Sequence, residues 1–160
     1  MDLKDLLSRH AREGRIEWIG LRPARLAPVD EVRAAELQED GLAGDHHSSG
    51  GKRAVTLIQA EHLPLIAGFA GLVSLAPARL RRNIVVSGIN LAALRHRTVV
   101  LGHARIEISG PCAPCSRMET ELGFGGYNAM RGHAGWYARV VSAGRIAIGD
   151  AVASISQAVD

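Results

Sequence analysis

Lysine is nearly missing from this chain. Lys4 and Lys52 are the only two, and every other strong base is arginine. A Schiff-base enzyme would have only those two amines to use, so no pyridoxal phosphate is expected on this chain. Aromatic residues are also scarce, at two each of Trp, Tyr and Phe. That is too few for a stacking platform, and a mixed charge of net +3 gives no basic stripe, so nucleic acid is not an expected partner. No apolar run approaches the roughly 20 residues that cross a bilayer, so no membrane partner is expected either. The start, Met1-Asp-Leu-Lys-Asp, has no apolar h-region, unlike a secretory signal. Two cysteines make no disulfide framework, which points to a reducing, cytoplasmic setting.

What is present fits one globular domain spanning residues 1–160, with 47% hydrophobic residues and a real core. Residues 2–13 read as an amphipathic helix, with Leu3, Leu6, Leu7 and His10 on one face and Gly14 as its stop. Residues 15–21 and 54–58 read as strands. Residues 31–40 favour a helix by propensity, but Val32, Ala34 and Glu36 also alternate as in a strand; a strand is expected there. Residues 61–69 read as a helix, with Pro64 tolerated near its first turn. Strands are expected at 98–101 and 104–109 as a pair, and residues 136–141 and 145–148 as a hairpin around Ser142-Ala-Gly144. A last strand follows from Ala151. No alternation of strand and helix in βαβ units is evident. The pattern predicts a mainly β, barrel-like fold with a few short helices.

Chemistry points to Pro111-Cys112-Ala-Pro114-Cys115-Ser116-Arg117-Met118. This turn holds both cysteines, between a period-two run and a helical stretch at 116–122. Ser116 and Glu119 have capping-box spacing. If that cap forms, Cys115 precedes a helix N-terminus, and the helix dipole with Arg117 favours its thiolate. Four readings are open: half of a structural zinc site completed by His103 or His133, a redox dithiol, two packed inert thiols, or one functional thiolate, best placed at Cys115.

Two other stretches are candidates. The loop Gly41-Leu-Ala-Gly44-Asp45-His46-His47 is dense in glycine, which allows close backbone approach to a ligand. Its Asp45, His46 and His47 suit metal or acid/base work, or simply a solvated turn. The run Arg79-Leu-Arg81-Arg82-Asn83 opens a β-branched strand. Guanidiniums and an amide there could clamp an anion, or lie exposed on an edge.

Five motifs occur in order: Trp18-Ile-Gly-Leu-Arg-Pro23, Gly41-Leu-Ala-Gly44-Asp45-His46, Arg81-Arg-Asn-Ile-Val-Val-Ser-Gly-Ile-Asn-Leu91, Pro111-Cys-Ala-Pro-Cys-Ser-Arg-Met118 and Gly144-Arg-Ile-Ala-Ile-Gly-Asp150. Together they resemble the MOSC domain, found at the C-terminus of molybdenum cofactor sulfurases and alone in bacteria. The resemblance covers residues 15–155. It implies a β-barrel-like fold and a bound molybdenum cofactor, a molybdopterin. It places the metal ligand and catalytic thiolate at Cys115, the pterin-phosphate contacts at Arg81 and Asn83, and Asp45 in the cofactor site. Cys112 is an additional cysteine. The implied activity is a molybdenum-dependent oxidoreductase acting on N-hydroxylated compounds, supplied by an electron-donor protein. The alternative is a sulfur carrier that takes persulfide sulfur onto Cys115 from a cysteine desulfurase. A third reading is a zinc-stabilised binding module. The desulfurase domain of the sulfurases, which carries their pyridoxal phosphate, is not in this sequence.

Overall fold

The computed structural model describes residues 1–46 and 50–155. In chain order the elements are α1 (Leu3–Leu7), β1 (Gly14–Leu21), β2 (Asp30–Val32), β3 (Ala34–Gln38), β4 (Gly41–Leu42), β5 (Val55–Gln59), α2 (His62–Ala70), β6 (Ile84–Ser87), β7 (Thr98–Leu101), β8 (Ala104–Pro111), α3 (Ser116–Leu122), α4 (Gly126–Met130), β9 (Trp136–Ser142), β10 (Gly144–Ala147) and β11 (Ala151–Ser154). Seven strands form a closed ring in the order β11-β7-β8-β9-β5-β6-β1, and β1 returns to β11 through Gly14↔Val152 and Arg15↔Ala151. The fold is a mainly β barrel with four short α-helices among the described residues, as expected from the many short strands. Closure removes the exposed edges that an open sheet would present. No helix among the described residues is long and apolar enough to cross a membrane.

Period-two alternation sorts side chains between two cores. Ile16, Leu57, Ile84, Ile106 and Ala138 point into the barrel. Ile58 and Val85, their immediate neighbours, point outward and are covered by Ile66 of α2, Met118 and Leu122 of α3, and Met130 of α4. That is why β5 is buried along its whole length. A small antiparallel sheet, β10-β3-β4, adds Leu37, Leu42 and Ile146 to the barrel core. The strand expected at 31–40 is therefore present, as β2 and β3.

Four expectations are corrected. The N-terminal helix is one turn and a half, Leu3–Leu7, capped by Asp2, rather than spanning 2–13. None of its residues is buried, so no packing extends it. Residues 136–142 and 144–147 do not form a hairpin. Both edges of β9 are taken by β5 and β8, and β10 pairs with β3 instead. Gly144 also lies against the His103 carbonyl, where a Cβ would come within 2.2 Å. One strand–helix–strand unit does occur, with β5 and β6 paired in parallel across α2. Finally, the Ser116–Glu119 capping box does not form. Cys115 itself is the N-cap residue, without a side-chain cap bond. The Glu119 carboxylate instead accepts from the backbone N–H groups of Gly125 and Tyr127, at 2.8 and 3.0 Å, and so organises the start of α4, a helix not foreseen from the sequence.

Candidate functional site

β1 ends in Leu21, and the next residue, Arg22, is pulled inward rather than out to solvent. Its side chain is 9% exposed and forms a two-pronged ion pair with Asp45. Nε donates to Oδ1 at 3.0 Å and Nη2 to Oδ2 at 2.8 Å, while the Arg22 backbone N–H also donates to Oδ1 at 2.7 Å. Asn83 completes the cluster. Its Nδ2 donates to Asp45 Oδ1 and to the Gly20 carbonyl, and its Oδ1 accepts from Arg22 Nη2, from the Thr56 N–H and from the Thr56 hydroxyl. Burial pushes the Asp45 carboxyl up, but the hydrogen bonds and charge of Arg22, with the Asn83 amide, outweigh it and hold it below its ordinary value. The pair stays ionised because each charge is fully hydrogen-bonded, the condition a buried ion pair must meet.

This cluster underlies a cavity of about 800 Å³. Arg22, Arg25, Arg81, Arg82 and Arg117 line it, together with His46, Cys115 and Glu121. Arg22 reaches it from below by donating Nη1 to the Arg81 carbonyl at 3.3 Å. Arg81 has a left-handed backbone, φ +55°, uncommon for a residue with a Cβ. Its guanidinium holds that conformation by donating to the carbonyls of Ala24, Arg25 and Ala27. Burial, then the charges of Arg117 and Arg22, lower its pKa. Arg117 donates to the Arg25 carbonyl at 3.0 Å, and Arg82 to the Ala134 carbonyl at 2.7 Å. Arg79 does not line this cavity and is tied to Glu121, which does. The His46 ring Nδ1 lies 2.8 Å from the Arg22 carbonyl. A carbonyl only accepts, so Nδ1 carries the proton in that contact.

The two thiols differ sharply. Cys115 is exposed in the cavity wall. Cys112 is packed against the helices, and burial pushes its thiol up to about 11 despite the charges of Arg82, Arg22 and Arg53. At neutral pH Cys112 is a protonated, packed thiol. It lines a separate cavity of about 340 Å³ with His62, His133 and Trp136. The proline-flanked turn is a wall of both spaces, so each cysteine serves a different one.

Of the residues singled out in sequence, the structure brings Cys115 and Arg81 to one cavity and adds His46. Asp45 and Asn83 lie beneath it and hold its floor. His47 lies outside the described residues. Among the described residues no three His, Cys, Asp or Glu side chains converge as a metal site, which gives the zinc reading no ligand set. Sequence reasoning missed Arg22. The one available signal was an arginine directly before Pro23 at the end of an apolar strand, where an exposed charge needs no fixed partner but a buried one does.

The family model of the MOSC domain matches residues 44–153. The YuaD protein from Bacillus subtilis shares the fold, with 17% identity and a TM-score of 0.78 over 90% of this chain and 96% of that one. So does YiiM from Geobacillus stearothermophilus, with 18% identity and a TM-score of 0.75 over 91% and 77%. YiiM from Escherichia coli has 23% identity and a TM-score of 0.70 over 91% and 72%. At these identities the likeness is one of fold. No curated protein matches the chain significantly.

Proposed function

This chain belongs to the MOSC domain family, and on that premise we propose that it binds the molybdenum cofactor in the arginine-lined cavity, with Cys115 as the protein ligand to the metal. The observation that carries the reading is the donor set. One exposed thiol stands in the wall of a cavity whose other side chains include five arginines. A soft sulfur suits a molybdenum–sulfur centre, and guanidiniums suit an anionic pterin tail. These residues therefore fit the group. When bound, it would supply a redox-active metal able to accept an oxygen atom from an N-hydroxylated compound.

The chain's own residues have separable tasks. Arg81 and Arg117 fix the loop at residues 24–27 through its carbonyls, which sets one wall. Arg22 sits in the floor with its charge matched by Asp45. The positive field at the cavity comes from Arg25, Arg81, Arg82 and Arg117, and it would attract the cofactor's phosphate. His46 holds a proton at Nδ1 towards the Arg22 carbonyl and presents its ring at the cavity. Cys112, protonated and packed, does not compete for the metal. A persulfide carrier would use the same exposed thiol, but would not require a cavity with this density of arginines.

The test is to purify the chain from a host that makes the cofactor and to measure bound molybdenum, pterin, zinc and persulfide together. Near-stoichiometric molybdenum and pterin, lost in Cys115→Ser, is the expected result. Persulfide on Cys115 without pterin would replace this reading with the carrier. Stoichiometric zinc without pterin would overturn both.

A further inference from the structure

The cavity of about 340 Å³ has no part in the cofactor reading. The turn at residues 111–114, residues 131–136 and His62 at the start of α2 enclose it. Backbone hydrogen bonds fix these walls. The Cys112 N–H donates to the Gly135 carbonyl at 2.8 Å, and the His133 N–H to the Met130 carbonyl at 2.8 Å. A pre-formed space near the lower end of ~300–1,000 Å³ suits a small molecule rather than a chain segment.

Its lining is largely flat and apolar and carries one strong charge. Tyr127 and Trp136 supply aromatic faces, and Pro111 and Pro114 supply apolar ones, against which a planar ring packs well. Arg131 is the one arginine, and no Asp, Glu or Lys lines the space. Among the described residues the Arg131 guanidinium is met only by Asn128 Oδ1, at 3.5 Å. That is the outer limit of a hydrogen bond, so its donors are available to a ligand. Two imidazoles stand beside it, edge-on at 4.8 Å. Burial, then the neighbouring His133, lowers the pKa of His62, so its ring is uncharged at neutral pH. The His133 Nδ1 is buried with no hydrogen-bond partner. A proton there would be an unsatisfied buried donor, so the neutral ring carries its proton on Nε2. The lining thus offers donors with no carboxylate to balance them.

We propose that this cavity binds a small planar carboxylate, a one-ring aromatic or heteroaromatic acid, with its ring against Trp136 and the prolines and its carboxylate on Arg131. The lining selects that class. A cation would meet Arg131 with no acid to hold it. A metal ion has no ligand set, since no three His, Cys, Asp or Glu side chains converge among the described residues. A phosphate ester finds five arginines in the larger cavity against one here. A neutral ring would leave the Arg131 donors unused, whereas a carboxylate takes two of them at once. Neither Cys115 nor any arginine of the larger cavity lines this space, so the inference does not rest on the cofactor reading.

Imidazole NMR of the full chain, titrated with benzoate up to about 20 mM, tests it. His62 and His133 report on this cavity, and His46 on the larger one. Saturable shifts of His62 and His133 are expected, half-complete at roughly millimolar benzoate for so small a ligand. Benzamide, of the same shape without the charge, should bind about tenfold more weakly or worse. Benzoate should lose a similar factor on Arg131→Met, because the charge-assisted pair is gone. Arg131 is exposed, so the variant should keep the parent's circular dichroism, and the benzamide comparison needs no variant. Shifts that are absent at the highest concentration overturn the proposal. Shifts confined to His46 do so too, and assign benzoate to the larger cavity. Benzamide binding as tightly as benzoate, or an Arg131→Met chain that binds benzoate unchanged, overturns it as well. Molybdenum content plays no part in this readout, so such a failure leaves the cofactor reading standing.

Discussion

Replacing Arg22 with Met should be among the most damaging single changes to this protein outside its apolar core. The substitution removes both guanidinium hydrogen bonds on Asp45 and the charge behind them, but leaves the carboxylate where it is, nearly buried. Breaking a buried pair from one side typically costs about 3–5 kcal/mol. For a chain of this length each kcal/mol moves Tm by about 2–4 °C, so Tm should fall by roughly 10 °C. Removing both charges should hurt less than removing one. The double variant Arg22→Met, Asp45→Leu leaves no unpaired ion, and should recover about 2 kcal/mol relative to the sum of the singles. The pH dependence gives a sharper signature. In the parent the Asp45 carboxyl is held below its ordinary value. Its contribution is therefore full above the unfolded pKa of about 3.9 and is lost as pH falls through the folded value. Without Arg22, burial dominates and raises that carboxyl. The variant's deficit should then shrink as pH falls from 7 towards 4, because protonation relieves it. Urea denaturation at several pH values measures this. A pH-independent deficit, or a double variant as weak as the summed singles, would refute the argument.

Cys115 should be alkylated by iodoacetamide in the cofactor-free folded protein, whereas Cys112, packed and with its thiol pushed up to about 11, should react only in denaturant; mass mapping of the adducts decides. Arg81→Ala should weaken pterin binding tenfold or more, in line with about 1.5–3 kcal/mol for lost charge-assisted bonds. It should also expose the backbone at residues 24–27 to hydrogen exchange, since three carbonyls there lose their donor. Gly135→Ala should destabilise the fold by about 2 kcal/mol or more, read by thermal melting. Gly135 has φ +98°, and a Cβ there would come 2.3 Å from the Leu57 carbonyl oxygen.

The parts of the fold that were legible in sequence are those decided by nearest neighbours. The apolar runs at β5 and β6, the paired run through Gly102, and the limits of α3 all follow from local pattern. Pairings decided at long range were not legible. The residues after Ser142 look like the return arm of a hairpin, yet β9 has no free edge, and only the barrel's closure reveals that. Ser116 and Glu119 have capping-box spacing, but backbone N–H groups six and eight residues downstream of Glu119 offered better donors. The site divides in the same way. Cys115 and the arginines were visible as residue types. The engagement of Asn83 and Asp45 beneath the cavity depends on Arg22, whose role only a buried position can define.

The pairing of β1 with β11 also sets an order of events during synthesis. Gly14 and Arg15 leave the ribosome early, but their partners Ala151 and Val152 emerge some 140 residues later. At ~5–20 residues per second the first strand waits for several seconds or more with one side unpaired beyond its contacts to β2 and β6. Until those residues emerge the ring cannot close. Translation speed and chaperone access should therefore govern its yield more than the stability of the finished ring does.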